Sequence, residues 1–155
     1  MSLDNKGLLL IYHSQTGHTE SLAQAIFEGI ASVPNIFCRF KKASEADLSD
    51  LLWAKGVIFG TPENFGYMSG ALKSFFDRTY YPAESYQLNL PYSLFVSAGN
   101  DGSGAVRAVE RILKGYPMRK VSEAIIIKGE IEKIDLQQCY DLGKAMAEGM
   151  DLGIF

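Results

Sequence analysis

Five short apolar runs alternate with amphipathic stretches along this chain, and that alternation constrains its fold more than any other feature. The runs are GLLLIYH (7–13), NIFCRF (35–40), GVIFG (56–60), YSLFVSA (92–98) and AIIIK (124–128). Several are apolar continuously rather than on alternate residues, as strands covered on both faces must be. Between them, Leu22, Ala23, Ile26, Phe27 and Ile30 fall at helical spacing, and Pro34 follows as a stop. Leu72, Phe75 and Phe76 mark a helix starting near Ser69. Ala105, Val106, Val109, Ile112 and Leu113 trace another apolar stripe, closed by Gly115 and Pro117. Leu136, Cys139, Leu142, Met146 and Met150 form the last, with Asp135 and Gln138 spaced as a capping box. Residues 46–53 carry a weaker helical pattern. A strand and a helix repeated five times predict an α/β fold: a parallel sheet with right-handed crossovers and helices on both faces.

No internal repeat, low-complexity tract or linker interrupts the pattern, so residues 1–155 read as one domain. A net charge of -3 predicts neither a nucleic-acid surface nor a strongly acidic docking face. No apolar run nears the ~20 residues that cross a bilayer, and the polar start MSLDNK lacks a signal-peptide plan, so membrane insertion is not expected. Cys38 and Cys139 lie far apart in sequence and outside any Cys-x-x-Cys pair. They read as reduced, largely buried thiols of a cytoplasmic protein. With only His13 and His18 besides, no grouping suits a structural metal.

In a doubly wound sheet, ligands bind beyond the carboxyl ends of the strands, near the point where strand order reverses. Three strand ends here carry unusual loops. The first passes from His13 through Ser14, Gln15, Thr16, Gly17, His18 and Thr19 into a helix. Backbone N–H groups at a helix start lack intrahelical partners and sit at the positive end of the helix dipole, which suits an anion and above all a phosphate. Three hydroxyls add donors, and no lysine or arginine sits in the loop, so a phosphate there would be held by neutral dipoles. Simple helix capping by the same hydroxyls is the competing reading. A Walker A loop and a G-x-G-x-x-G fingerprint are both absent, which disfavours nucleoside triphosphate hydrolysis and a Rossmann dinucleotide site.

Ser14-Gln15-Thr16-Gly17-His18-Thr19 resembles the S/T-x-T-G-x-T phosphate loop of the flavodoxin-like flavoproteins, which bind flavin mononucleotide (FMN). His18 stands where flavodoxins often have Asn, and its backbone N–H serves the same purpose. The segment GTPENFGYMSGALKSFFDR (60–78) is similar to the G-T-P-x-x-F-G-x-M-S-G stretch of WrbA-type NAD(P)H:quinone oxidoreductases, within the wider NAD(P)H-dependent FMN reductases. That match is longer and more specific. It implies that Thr61, Pro62, Glu63, Asn64, Phe65 and Gly66 border the flavin, with the backbone of 64–66 beside its N5 edge. Phe65 sealing the core is the alternative reading of that aromatic.

The third loop, SAGNDGSGA (97–105), is assigned by the resemblance to the pyrimidine side of the ring, through Ser97, Ala98, Gly99, Asn100 and Gly102. A flexible connector is the other reading. Flavodoxins commonly stack a tyrosine from this loop on the ring, and here there is none. An uncovered ring leaves room for a nicotinamide or a quinone, and the weak charge is unlike that of strongly acidic electron carriers. The aromatic run Tyr80, Tyr81, Pro82 and Tyr86 reads as a connector after the third helix, lining the site mouth, a homo-oligomer contact or plain packing.

The resemblance therefore implies a three-layer flavodoxin-like fold with strand order 2-1-3-4-5. It also implies an FMN flavoprotein passing electrons from NAD(P)H to a quinone-like acceptor, with no side chain as general acid or base. The alternatives are a flavodoxin-type single-electron carrier between redox protein partners, or a flavin-binding domain without turnover.

Overall fold

In a computed structural model that describes residues 6–155, the chain forms the predicted parallel sheet flanked by helices. The MSLDNK start lies outside the described residues except for Lys6. The elements run β1 (Gly7–Tyr12), α1 (His18–Ala31), β2 (Phe37–Lys42), α2 (Leu48–Trp53), β3 (Gly56–Pro62) and α3 (Gly70–Glu84). They continue as β4 (Pro91–Ala98), α4 (Ser103–Gly115), β5 (Arg119–Lys120), β6 (Ile125–Lys128) and α5 (Lys133–Asp151). The order across the sheet is β2-β1-β3-β4-β5, with β6 also paired to β4 and every pairing parallel. This is the 2-1-3-4-5 order expected.

The fifth strand is divided. β5 pairs with the start of β4 at Pro91 and Tyr92, and β6 with its end at residues 95–98. Across the gap, the Ser93 and Ser122 hydroxyls lie 2.9 Å apart in a hydrogen bond. The central strands β1 and β3 are almost wholly buried, whereas edge strand β2 is not. That difference follows from two-faced cover at the centre and an open side at the edge. The edge is fixed by charge: Arg39 and Lys41 reach the fully buried Asp50 at 3.0 and 3.1 Å, and the Arg39 guanidinium lies 4.2 Å from the Trp53 ring centroid.

Two apolar layers sandwich the sheet. One packs Leu9, Phe59, Leu94 and Val96 against Leu72, Phe75 and Phe76 of α3 and Val109 and Leu113 of α4. The other packs Leu8, Leu10, Ile58 and Phe95 against Leu22 and Ile26 of α1 and Cys139 and Met146 of α5. The helix axes of α1 and α5 approach so closely that a Cβ at Gly143 would lie 2.1 Å from the Ile26 carbonyl oxygen.

Three local expectations are corrected. The capping box of α5 is Glu132 with Asp135, because the helix begins a turn earlier than the 135/138 spacing suggested. Tyr80, Tyr81 and Pro82 belong to α3 instead of following it. Pro82 is tolerated there because it lies in the last turn, where a lost N–H removes only one bond near the helix end. The edge strand runs 37–42, two residues beyond the predicted 35–40. Among the described residues no helix is long and apolar enough to cross a membrane.

Candidate functional site

The carboxyl ends of β1, β3, β4 and β6 converge on one cleft of about 340 Å³. From the first loop come Gln15, Thr16 and His18. The second supplies Pro62, Glu63 and Asn64, and the third supplies Ser97, Ala98 and Gly99. Nine of the predicted contact residues thus share one surface. Gly17 lines an adjoining cleft of about 300 Å³ that shares Thr16 and His18 with the first. Gly129 and Glu130, at the end of β6, complete the wall and were missed from sequence. Their only signal is a glycine directly after the run AIIIK. No lysine, arginine, phenylalanine, tyrosine or tryptophan side chain lines either cleft. Larger surface grooves flank helices instead, between α1 and α5 and between α3 and α4, and do not gather the three loops.

At the first loop, Gly17 takes a left-handed φ of +101° and starts α1 without a side-chain cap of its own. The Ser14 hydroxyl accepts from the N–H groups of Gly17 and Glu20, both at 3.1 Å, so one of the predicted hydroxyls does cap the helix. Thr16 Oγ1 pairs with His18 Nδ1 at 3.0 Å, and His18 Nε2 lies 3.9 Å from the Glu130 carboxylate. The Thr19 hydroxyl is different. It is buried to 1% exposure on the first turn of α1, and it has no partner. The orphan hydroxyl, the amides that Ser14 does not take and the positive end of the helix lie together at this turn, a donor set that suits a phosphate.

The second loop is a two-residue hairpin. Asn64 and Tyr67 exchange N–H···O bonds of 2.9 and 3.0 Å, while Phe65 (φ +53°) and Gly66 (φ +71°) both turn left-handed. Positive φ at both central positions is the type I′ pattern. Phe65 is fully exposed, so it does not seal the core. Thr61 is buried beneath the loop, donating to the Pro62 carbonyl (2.8 Å) and accepting from the Ser69 N–H (2.9 Å). In the third loop Asn100 is exposed and Gly102, at φ +91°, begins α4. Asp101, held below the usual carboxylate range by its hydrogen bonds to Ser103, stands beside it.

Neither cysteine is a nucleophile: burial pushes Cys38 and Cys139 up to about 12, so both stay protonated at neutral pH. Among the described residues no group of three or more His, Cys, Asp or Glu is placed to hold a metal. The site offers hydrogen-bond donors, backbone amides and an open wall without phenylalanine, tyrosine or tryptophan.

Comparison with known proteins agrees with that geometry. The model of the family described as NADPH-dependent FMN reductase matches residues 30–129, which takes in the second and third loops but not the first. A flavodoxin of Aquifex aeolicus (strain VF5) is 40% identical over 45% of this chain and 38% of its own length. An NAD(P)H dehydrogenase (quinone) of Acidithiobacillus ferrooxidans is 36% identical over 46% of this chain and 46% of its own. The chain thus spans about half or less of these curated relatives. Among solved structures, a flavodoxin from the domain Archaea superposes with a TM-score of 0.79 at 24% identity, covering 94% of this chain and 99% of that one. A WrbA-like protein from Agrobacterium tumefaciens gives 0.78 at 20% identity, covering 95% and 98%. The fold is flavodoxin-like.

Proposed function

Because the chain belongs to the NADPH-dependent FMN reductase family, we propose that it is an oxidoreductase that binds FMN in the strand-end cleft and passes electrons from NAD(P)H to a quinone-like acceptor. The observation that carries this reading is the cleft itself, which joins three loops and has no phenylalanine, tyrosine, tryptophan, lysine or arginine in its wall. The amides at the start of α1 that Ser14 does not take, with the hydroxyls of Thr16 and Thr19, would hold the phosphate. Asn64 and Gly66 from one loop, and Ser97, Gly99 and Asn100 from the other, would border the ring. Bound FMN supplies hydride acceptance at N5 and onward delivery of two electrons. The protein's part is position and access. With no tyrosine closing over the ring, nicotinamide and quinone can each stack on the same face in turn.

The 36% identity to a quinone dehydrogenase supports the acceptor class. The free state of both cysteines supports a cytoplasmic setting. A single-electron carrier between protein partners is the second reading, favoured by the 40% identity to a flavodoxin. Steady-state oxidation of NADPH and NADH by FMN-loaded protein, with benzoquinone as acceptor, separates the two. Sustained turnover with ping-pong kinetics is expected. FMN-saturated protein that does not turn over fits the carrier instead, and protein that binds no FMN overturns both.

A further inference from the structure

Helices α1 and α4 each begin at a left-handed glycine that brings no side-chain cap of its own: Gly17 for α1 and Gly102 for α4. Their first amides are capped differently: at α1 the neutral Ser14 hydroxyl accepts from Gly17 and Glu20, both at 3.1 Å. At α4 the Glu63 carboxylate takes three of them, accepting from Gly102 (2.9 Å), Gly104 (3.0 Å) and Ala105 (3.2 Å). The Glu63 N–H in turn donates to the Ser97 carbonyl at 2.8 Å. One residue of the second loop is therefore bonded to both ends of the third. Packing tightens the same join: a Cβ at Gly104 would lie 2.1 Å from the Gly66 carbonyl oxygen. The start of α4 is thus filled by a carboxylate from within, whereas α1 is capped by the neutral Ser14 hydroxyl, which leaves it the better place for a phosphate.

The geometry points to Glu63 as the positioning residue of the site: its carboxylate staples the second loop to the start of α4, so that the two loops facing the ring form one preformed unit. The role rests on the reading that FMN occupies the cleft. It assigns Glu63 and Gly102 a bond to each other rather than a polar contact with the cofactor. The Phe65–Gly66 turn, left-handed at both residues, is held at its base by this staple and by Thr61. Preorganised loops lower the ordering cost of binding. A fixed negative charge beside the ring also disfavours electron uptake.

Glu63→Gln tests the staple, because the amide keeps the shape yet turns an N–H donor toward N–H groups. In FMN-free protein, hydrogen exchange at Gly102, Gly104 and Ala105 should quicken about tenfold or more, as loss of a charge-assisted bond predicts. In loaded protein, FMN should bind about tenfold more weakly, and its midpoint potential should move to less negative values. Gly104→Ala, which wedges the same loops apart while leaving Glu63 in place, should quicken exchange and weaken FMN binding without the charge-driven shift in potential. It serves in place of the first variant if that one folds poorly. Unchanged exchange removes the staple. Faster exchange with unchanged FMN affinity and potential leaves Glu63 a purely structural tie and overturns its positioning role. Wild-type protein that binds no FMN fails the flavin reading and the role of Glu63 with it, while the exchange data still report whether the staple exists.

Discussion

The Thr19 hydroxyl is buried without a partner at the first turn of α1, a state that costs about 1–3 kcal/mol. A ligand that accepts its hydrogen removes that cost, so the residue should act oppositely in the free and bound protein. Thr19→Val is expected to keep or raise the melting temperature of FMN-free protein while weakening FMN binding about tenfold. Thermal melts with a fluorescence titration check both signs, and a parallel loss of stability and affinity contradicts the assignment. The polar cluster around Thr19 was legible in sequence because hydroxyls and glycine crowd a strand-to-helix turn, although Ser14 proves to be the cap among them. Glu63 was legible only as a member of a motif. Its partners lie 39 to 42 positions on, and nothing local marks them.

At the scale of elements, the crossing of α1 and α5 depends on hydrogen in place of a side chain. Gly143→Ala would set a methyl 2.1 Å from the Ile26 carbonyl, backbone that cannot swing aside. The variant should lose about 1–3 kcal/mol, the usual range for overpacking, read as a lower denaturation midpoint. Wild-type stability in that variant means the helices separate more easily than their packing implies. The helical stripes were plain in the sequence because apolar residues recur at 3.6-residue spacing. The last turn of α3 was not, since the aromatic run of Tyr80, Tyr81, Pro82 and Tyr86 reads as a connector. Tyr80 nevertheless packs its ring 5.3 Å from that of Tyr116, a contact only the assembled fold supplies.

Over the whole molecule, four desolvated acids tie stability to alkaline pH. Desolvation raises Cys38 and Cys139 from an ordinary 9.0, and Tyr92 and Tyr116 from 10.0, all to about 12. Each is neutral when folded and ionises more readily when unfolded. The stability they contribute is therefore complete below about pH 9 and lost as pH rises toward about 12. Melting temperatures should hold level to that point and then fall, less steeply in Cys139→Ala; a level profile to the upper limit contradicts the burial. Five apolar runs and four amphipathic stripes were enough to determine the doubly wound sheet, because period and continuity of apolar residues dictate which elements form and how many faces each must hide. The first strand-end loop was marked as well, since unsatisfied amides at a helix start are a local property. Tertiary structure alone decided that the fifth strand divides, that Gly129 and Glu130 join the wall, and that a distant carboxylate, Glu63, fills the start of α4 while only a local hydroxyl, Ser14, caps α1. Those outcomes depend on which distant backbone groups a side chain meets, and that is settled only when the sheet brings the strand ends together.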